Sequence, residues 1–331
     1  MTPRILVLAG LVAALALVGC GPPTLPLRAA PHLQDSATVV TDTYFIEAKD
    51  GTPLFVRVWR PRSTPRGALA LVHGLLDHGE RYDALARRAA EAGFSVHAVD
   101  LRGHGRSAGM RAYAHAFGDY VDDTEAFVDA VHAREADRRV FLFGHSMGGA
   151  IVTTYAAFRL PEVARSGRRG IAGLVLSAPA LSTERTGLVL KGSTHLTAAL
   201  FPEAGVFSLD LDKFSRDPRV VAACKADPLV YTSPAPARTA SELVSAIADL
   251  RDAGAHLRVP LLVMHGTADE VTEPGGSKRL HASALSTDKT LTLYPGYVHD
   301  LLHEPEHARV EADVVAWLSA RCSSNRGNVV P

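Results

Sequence analysis

Phe141-Leu-Phe-Gly-His-Ser-Met-Gly-Gly-Ala150 is a ten-residue stretch in which an apolar run meets a serine flanked by glycines. Val140 to Phe143 reads as a strand buried on both faces, and Met147 to Arg159 as the helix that follows it. The pattern Gly144-x-Ser146-x-Gly148 between them suits a strained strand-to-helix turn. The glycines let two backbones approach closely, and the serine hydroxyl is held clear of the main chain. Ser146 is therefore the candidate nucleophile, and a strand passing directly into a helix points to a parallel sheet.

The rest of the chain keeps that rhythm. Thr43 to Lys49 and Pro53 to Arg60 are β-rich runs joined by Asp50-Gly51, a hairpin turn pair. Ala68 to Val72 and Phe94 to Val99 read as buried strands, with a helix over Arg81 to Ala92 that stops at Gly93. Asp119 is placed to cap a helix running to about Glu135. Leu174 to Ser177 is the next strand. From about Leu181 to Pro236 the alternation breaks, and Leu, Phe, Pro and Asp mix with several short helical stretches. It resumes with a helix over Ser241 to Asp252, a strand over Pro260 to Met264, a helix over Gly275 to Ala284, a strand over Lys289 to Tyr294 and a helix over Glu306 to Leu318. The alternation predicts an α/β fold with a mostly parallel sheet covered on both faces. The irregular insertion, residues 181–236, is longer than an ordinary loop and reads as a lid. Residues 323–331 read as a tail.

The chain has 331 residues, 47% of them hydrophobic and 21% charged, which suits a globular protein with one large core. Lys plus Arg equals Asp plus Glu, 35 each, so nothing in the charge favours nucleic acid as a partner. The N-terminus reads as a leader. Arg4 supplies a positive start, and Ile5 to Val18 is apolar but shorter than the roughly 20 residues a membrane span needs. It ends in Leu17-Val18-Gly19-Cys20, which resembles the bacterial lipobox. That resemblance implies a signal peptide over residues 1–19, lipid attachment at Cys20 and a Pro- and Ala-bearing tether over residues 20–42, with the folded domain spanning 43–322. It implies a lipid-anchored protein of the bacterial cell envelope. Gly21 lacks the Asp that marks inner-membrane retention in some bacteria, which favours the outer membrane or periplasmic face. Cys224 and Cys322 read as two unrelated thiols, and no Cys/His spacing resembles a metal site.

Ser146 needs an imidazole to take its proton and a carboxylate to fix that imidazole's tautomer. In this architecture the chain order is serine, acid, histidine, with acid and histidine on loops past strand ends. Pro260-Leu-Leu-Val-Met-His-Gly-Thr-Ala-Asp269 is a buried strand running into a turn, so Asp269 is the candidate acid, with Glu270 and Glu273 as competitors. The chain has fifteen histidines. Those before Ser146 fail the order, His195, His256 and His265 precede Asp269, and His281 and His307 fall inside helices. His299, past the strand ending at Tyr294 and a Pro-Gly turn, is the candidate base, with His303 as the fallback and Asp300 read as a local loop charge. The oxyanion of a tetrahedral intermediate needs two backbone donors. These are the N–H of Met147 at the helix N-terminus and the N–H of Leu75 after the Ala68 to Val72 strand. His73 reads as a brace for that loop.

Several stretches together resemble the monoacylglycerol lipase and lysophospholipase branch of the α/β-hydrolases, the serine-aminopeptidase-like family. They are HGLLDHGERY over 73–82, DLRGHGRS over 100–107, GHSMGG over 144–149, HGTADE over 265–270 and DKTLTLYPGYVH over 288–299. Ser215-Arg-Asp-Pro218 and Ala226-Asp-Pro-Leu-Val230 in the insertion look like that branch too. The resemblance covers about Tyr44 to Leu318. It implies an α/β-hydrolase fold with an eight-stranded sheet and an inserted helical lid. It also implies hydrolysis of a single-chain lipid ester, foremost a monoacylglycerol, with no cofactor or metal, on Ser146, Asp269 and His299 with Leu75 and Met147 as oxyanion donors.

Alternatives in the same fold are a lysophospholipase, another carboxylesterase, a thioesterase or an aminopeptidase. A peptidase would need a buried carboxylate for the substrate amine, and Glu184, Glu203, Asp210, Asp212, Asp217 and Asp227 in the insertion read as exposed charges. A non-catalytic binding lipoprotein is disfavoured because every relay position is filled.

Overall fold

A computed structural model describes residues 33–183 and 188–323, with side chains outside 184–192 and 323. The leader, Cys20, most of the tether and most of the tail lie outside the described residues. Among the described residues no helix is long and apolar enough to cross a membrane.

Eight strands form one sheet: β1 (Val39–Glu47), β2 (Pro53–Pro61), β3 (Gly67–Val72), β4 (Phe94–Val99), β5 (Val140–His145), β6 (Gly173–Ser177), β9 (Leu261–Gly266) and β10 (Lys289–Tyr294). Their order across the sheet is β1-β2-β4-β3-β5-β6-β9-β10. β1, β2 and β4 pair antiparallel, and every pairing from β4 to β10 is parallel. β1 begins at Val39, inside the segment expected to be tether. Val39 itself is fully buried, and Thr41 N–H is held by Asp35 at 2.8 Å, so packing carries the strand further back than its polar sequence suggests.

The central strands are apolar without a break because both faces are covered. Ala68, Ala70 and Val72 of β3 point to one core and Leu69 and Leu71 to the other, the period-two alternation of a strand. The first core is closed by α2 (Phe117–Arg134), α3 (Met147–Thr154), α7 (Ala237–Asp249) and α8 (Pro274–Ser283). The second is closed by α1 (Asp83–Glu91) and α9 (His307–Ser323). Asp119 sits in the first turn of α2 and not at its cap. Its carboxylate reaches back to the N–H groups of His115 and Ala116, each at 3.0 Å. After α3 the helix passes through a wide turn over Tyr155–Arg159 into the short α4 (Leu160–Arg165).

β3 lies between β4 and β5, so the chain leaves it first to one side and later to the other. The crevice past the carboxyl end of such a strand is where open α/β sheets bind ligands. The insertion between β6 and α7 holds α5 (Leu188–Leu200), α6 (Pro218–Ala226) and a small antiparallel pair, β7 (Gly205–Phe207) with β8 (Ala235–Pro236). That pair was not expected, and α7 starts four residues before the anticipated Ser241. Ala237 N–H bonds to Ala204 O at 2.7 Å, so the pairing draws the start of the helix into the insertion.

Candidate active site

Ser146 stands on the turn between β5 and α3 with φ +53 and ψ −120, a strained conformation for a residue with a side chain. Its main chain is pinned on both sides. Ser146 N–H bonds to Ser177 O at 3.0 Å, and its carbonyl accepts from Ala150 and Ala180. Gly144 and Gly148 make the turn possible. A Cβ on Gly148 would meet the carbonyl oxygens of Val72 and His73 at 2.4 Å, and one on Gly144 would meet Gly148 O at 2.5 Å. The serine alone is partly exposed in a buried stretch.

His299 Nε2 lies 3.0 Å from Ser146 Oγ, and its Nδ1 lies 2.9 Å from Asp269 Oδ2. Because a carboxylate only accepts, Nδ1 carries the proton and Nε2 is left to accept the serine hydroxyl. The second oxygen of Asp269 accepts the N–H groups of Val271 and Thr272 at 2.8 and 2.9 Å. Its Oδ2 also faces Thr272 Oγ1 at 2.9 Å and His265 Nε2 at 3.2 Å. Burial raises the Asp269 pKa, but the adjacent His299 and the His265 hydrogen bond outweigh it and hold the group well below the ordinary carboxylate range. The imidazole is boxed in by two rings, His145 at 4.9 Å and Phe214 of the insertion, edge-on at 5.3 Å. Burial, then the neighbouring His299, pushes His145 down to about 4, so it stays neutral beside the base.

The loop after β3 passes over the serine. A Cβ on Gly74 would meet Ser146 Cβ at 3.1 Å, so the residue before Leu75 packs directly against the serine. Met147 opens α3, so its N–H has no intrahelical acceptor. His73 donates from Nδ1 to Gly74 O at 2.7 Å and accepts Leu101 N–H on Nε2 at 2.9 Å, bracing the loop as its sequence position suggested.

The other candidates fall elsewhere. His303 bonds to Asp300 Oδ1 and Arg81 O, both at 2.8 Å, and Glu270 is exposed and paired with Lys213. Glu273 accepts the Ser182 hydroxyl. Asp300, read as a local loop charge, stays outside the relay but is buried, 2% exposed, and bonds to Arg81, which also holds Asp77. In the insertion Asp210 caps a turn, Asp212 pairs with Lys225 and Asp217 with Arg219, and Glu203 is exposed. Asp227 corrects the expectation of a free surface charge, since it pairs with the buried His78. Glu184 lies outside the described residues. Sequence reasoning missed Phe214, Thr272 and the second-oxygen contacts of Asp269. The Thr272 bonds carry a local signal, an acid followed three residues on by threonine, whereas Phe214 carries none.

A serine on a strained strand-to-helix turn, an imidazole and a buried carboxylate in hydrogen-bonded line at the carboxyl end of a parallel sheet define an α/β-hydrolase. Comparison with known proteins makes it particular: the chain belongs to the Hydrolase_4 family, serine aminopeptidase S33, whose pattern matches residues 63–306. A monoacylglycerol lipase of Mycolicibacterium smegmatis is 37% identical over 81% of this chain and 93% of its own length. The human monoglyceride lipase is 32% identical over 92% of this chain and 94% of its own. Among solved structures, the monoacylglycerol lipase of Paleococcus ferrophilus superposes with a TM-score of 0.71 at 29% identity, covering 81% of this chain and 99% of that one. The chain is a carboxylic ester hydrolase.

Proposed function

We propose that the protein hydrolyses monoacylglycerols through an acyl-enzyme on Ser146. The observation that carries this reading is the continuous Ser146–His299–Asp269 hydrogen-bond line in a chain whose relatives include monoacylglycerol lipases. His299 Nε2 takes the Ser146 proton as Oγ attacks the ester carbonyl, and the amides of Leu75 and Met147 receive the oxyanion. His299 then protonates the departing glycerol. A water, deprotonated by the same nitrogen, releases the fatty acid and restores the serine.

The insertion is read as the lid of the acyl site. Its Phe214 ring lies against His299, and its outer face shows Leu196, Leu200, Phe201, Val206 and Phe207 to solvent. Lipid attachment at Cys20 would hold the site at a membrane surface, where two or more acyl chains give stable anchoring. A location in the bacterial cell envelope follows from the same leader sequence.

The test is side-by-side turnover of a monoacylglycerol, a lysophospholipid and an aminoacyl-arylamide by the detergent-solubilised full chain. Monoacylglycerol should be turned over fastest. A faster lysophospholipid would shift the assignment to phospholipids, and a faster arylamide to peptides. Ser146→Ala should abolish both ester turnover and fluorophosphonate labelling. Mass spectrometry of the N-terminal peptide tests the anchor, and an unmodified Cys20 in the membrane fraction would refute it.

A further inference from the structure

The proton relay leaves one set of contacts unexplained, where the insertion crosses the loop that carries Leu75. Asp227 follows α6, and its Oδ2 lies 2.9 Å from Nε2 of His78. His78 is 2% exposed and stands three residues past Leu75. The other oxygen of Asp227 accepts Leu229 N–H at 2.8 Å, and its carbonyl accepts Val230 N–H at 3.2 Å, so the carboxylate also shapes the turn that follows. Tyr231 N–H then donates to Leu76 O at 3.0 Å, and Arg111 Nη2 donates to Leu229 O at 2.9 Å. Residues 227–231 therefore run as a strap over residues 76–78.

What the strap holds is strained. Leu76 has φ +66, the left-handed region that a leucine rarely adopts and that persists only where the surroundings over-determine it. Leu76 is the residue next to Leu75, and its carbonyl is the acceptor for Tyr231. Burial draws the His78 pKa down, but the Asp227 hydrogen bond and the charges of Asp100 and Asp77 outweigh it and lift the group above its ordinary value.

We propose that Asp227 is a positioning residue for the oxyanion site, acting through His78 and the Tyr231–Leu76 hydrogen bond to hold the Leu75 amide against Ser146. This rests on the reading of Leu75 N–H as an oxyanion donor. The strap's hydrogen bonds run to His78, Leu76 and Arg111, and not to Ser146, His299 or Asp269. Its loss should therefore weaken the step in which negative charge develops and leave ground-state binding nearly unchanged.

The experiment compares an oxo-ester with the thionoester of the same acid and alcohol. Sulfur is larger and a poorer acceptor, so the ratio of their kcat/KM values reports how well the donors fit oxygen. The wild type should favour the oxo-ester strongly. Asp227→Asn keeps an acceptor but no charge, and Asp227→Ala removes both. They should lower kcat on the oxo-ester by about tenfold and up to about a hundredfold respectively, with KM moving less than about twofold, and should shrink the ratio in the same order. His78→Gln with Asp227→Asn together should lose no more than the worse single change. Lys225→Met removes an exposed pair with Asp212 elsewhere in the insertion and should keep the wild-type ratio. A wild-type ratio in both Asp227 variants, or an effect confined to KM, would overturn the inference. Leu75→Pro deletes the amide hydrogen itself. If that variant keeps the wild-type ratio, the reading of Leu75 fails; if it lowers the ratio while the Asp227 variants do not, only the strap falls.

Discussion

Asp269 receives more hydrogen bonds than imidazole alignment alone requires. Two main-chain amides fix Oδ1, which restrains the carboxylate with Oδ2 2.9 Å from His299 Nδ1. Asp269→Asn would put an amide where an anion stands, favour the wrong tautomer and lower kcat by about 10⁴-fold, the scale seen when such an acid is neutralised in serine proteases. Thr272→Val keeps the shape but removes a hydroxyl 2.9 Å from Oδ2. It should lower kcat by roughly tenfold and leave the fold intact, which a melting curve beside the kinetics would show. If Thr272→Val matched the loss in Asp269→Asn, the hydroxyl would be acting on His299 directly, from which it is 3.2 Å away.

At the scale of elements, the site depends on how closely α3 approaches β3. Gly148→Ala would push a methyl group into two carbonyl oxygens of the β3 loop. Backbone cannot yield there as a flexible side chain would, so stability should fall by about 1–3 kcal/mol and activity with it, read as a lowered Tm and lost fluorophosphonate labelling. The insertion acts on the other side of the relay. Phe214 O accepts Asp300 N–H at 2.8 Å, Ser215 Oγ donates to His303 O at 2.7 Å, and Arg216 pairs with Glu304. These contacts clamp the segment 214–216 to the loop bearing His299. Phe214→Ala empties the space beside the imidazole and should lower kcat by roughly ten- to a hundredfold, with a smaller rise in KM.

Across the whole molecule, acid should be more damaging than alkali. The His145 pKa falls from 6.5 to about 4 on folding. A group depressed in this way contributes its stability in full above pH ~6.5 and loses it as pH falls towards 4. Complete protonation would cost about 3 kcal/mol at this buried position. Asp269, also depressed, adds a loss at still lower pH. Tm should be flat from pH 7 to 8 and drop between pH 6 and 4, and His145→Gln should flatten the upper part of that drop. Cys224 and Cys322 are both free, so a reductant should leave Tm and turnover unchanged. The relay was legible from sequence because each member lies just past a strand whose apolar run is unmistakable, and chain order removed most of the fifteen histidines. Asp227 was misread as exposed, and the burial of Asp300 was not foreseen, because their partners, His78 and Arg81, lie 149 and 219 residues away. The architecture of the insertion was hidden for the same reason: its short strands exist only through pairing with each other, and Phe214 gains its role only by meeting a loop 85 residues on. The strand order carries one more consequence. β6 and β9 are direct neighbours, and the whole insertion lies in the connection between them. Lengthening, shortening or exchanging it alters no pairing within the eight-stranded sheet, and doubling a loop's length costs only about 0.6 kcal/mol in closure entropy. The sheet that carries Ser146, Asp269 and His299 is thus independent of the insertion's length, while Phe214 and Asp227 tie the insertion's inner residues to the site. Chimeras that trade insertions between relatives should keep the eight-stranded fold and change chain-length preference, with kcat retained only where the contacts of Phe214 and Asp227 are carried across.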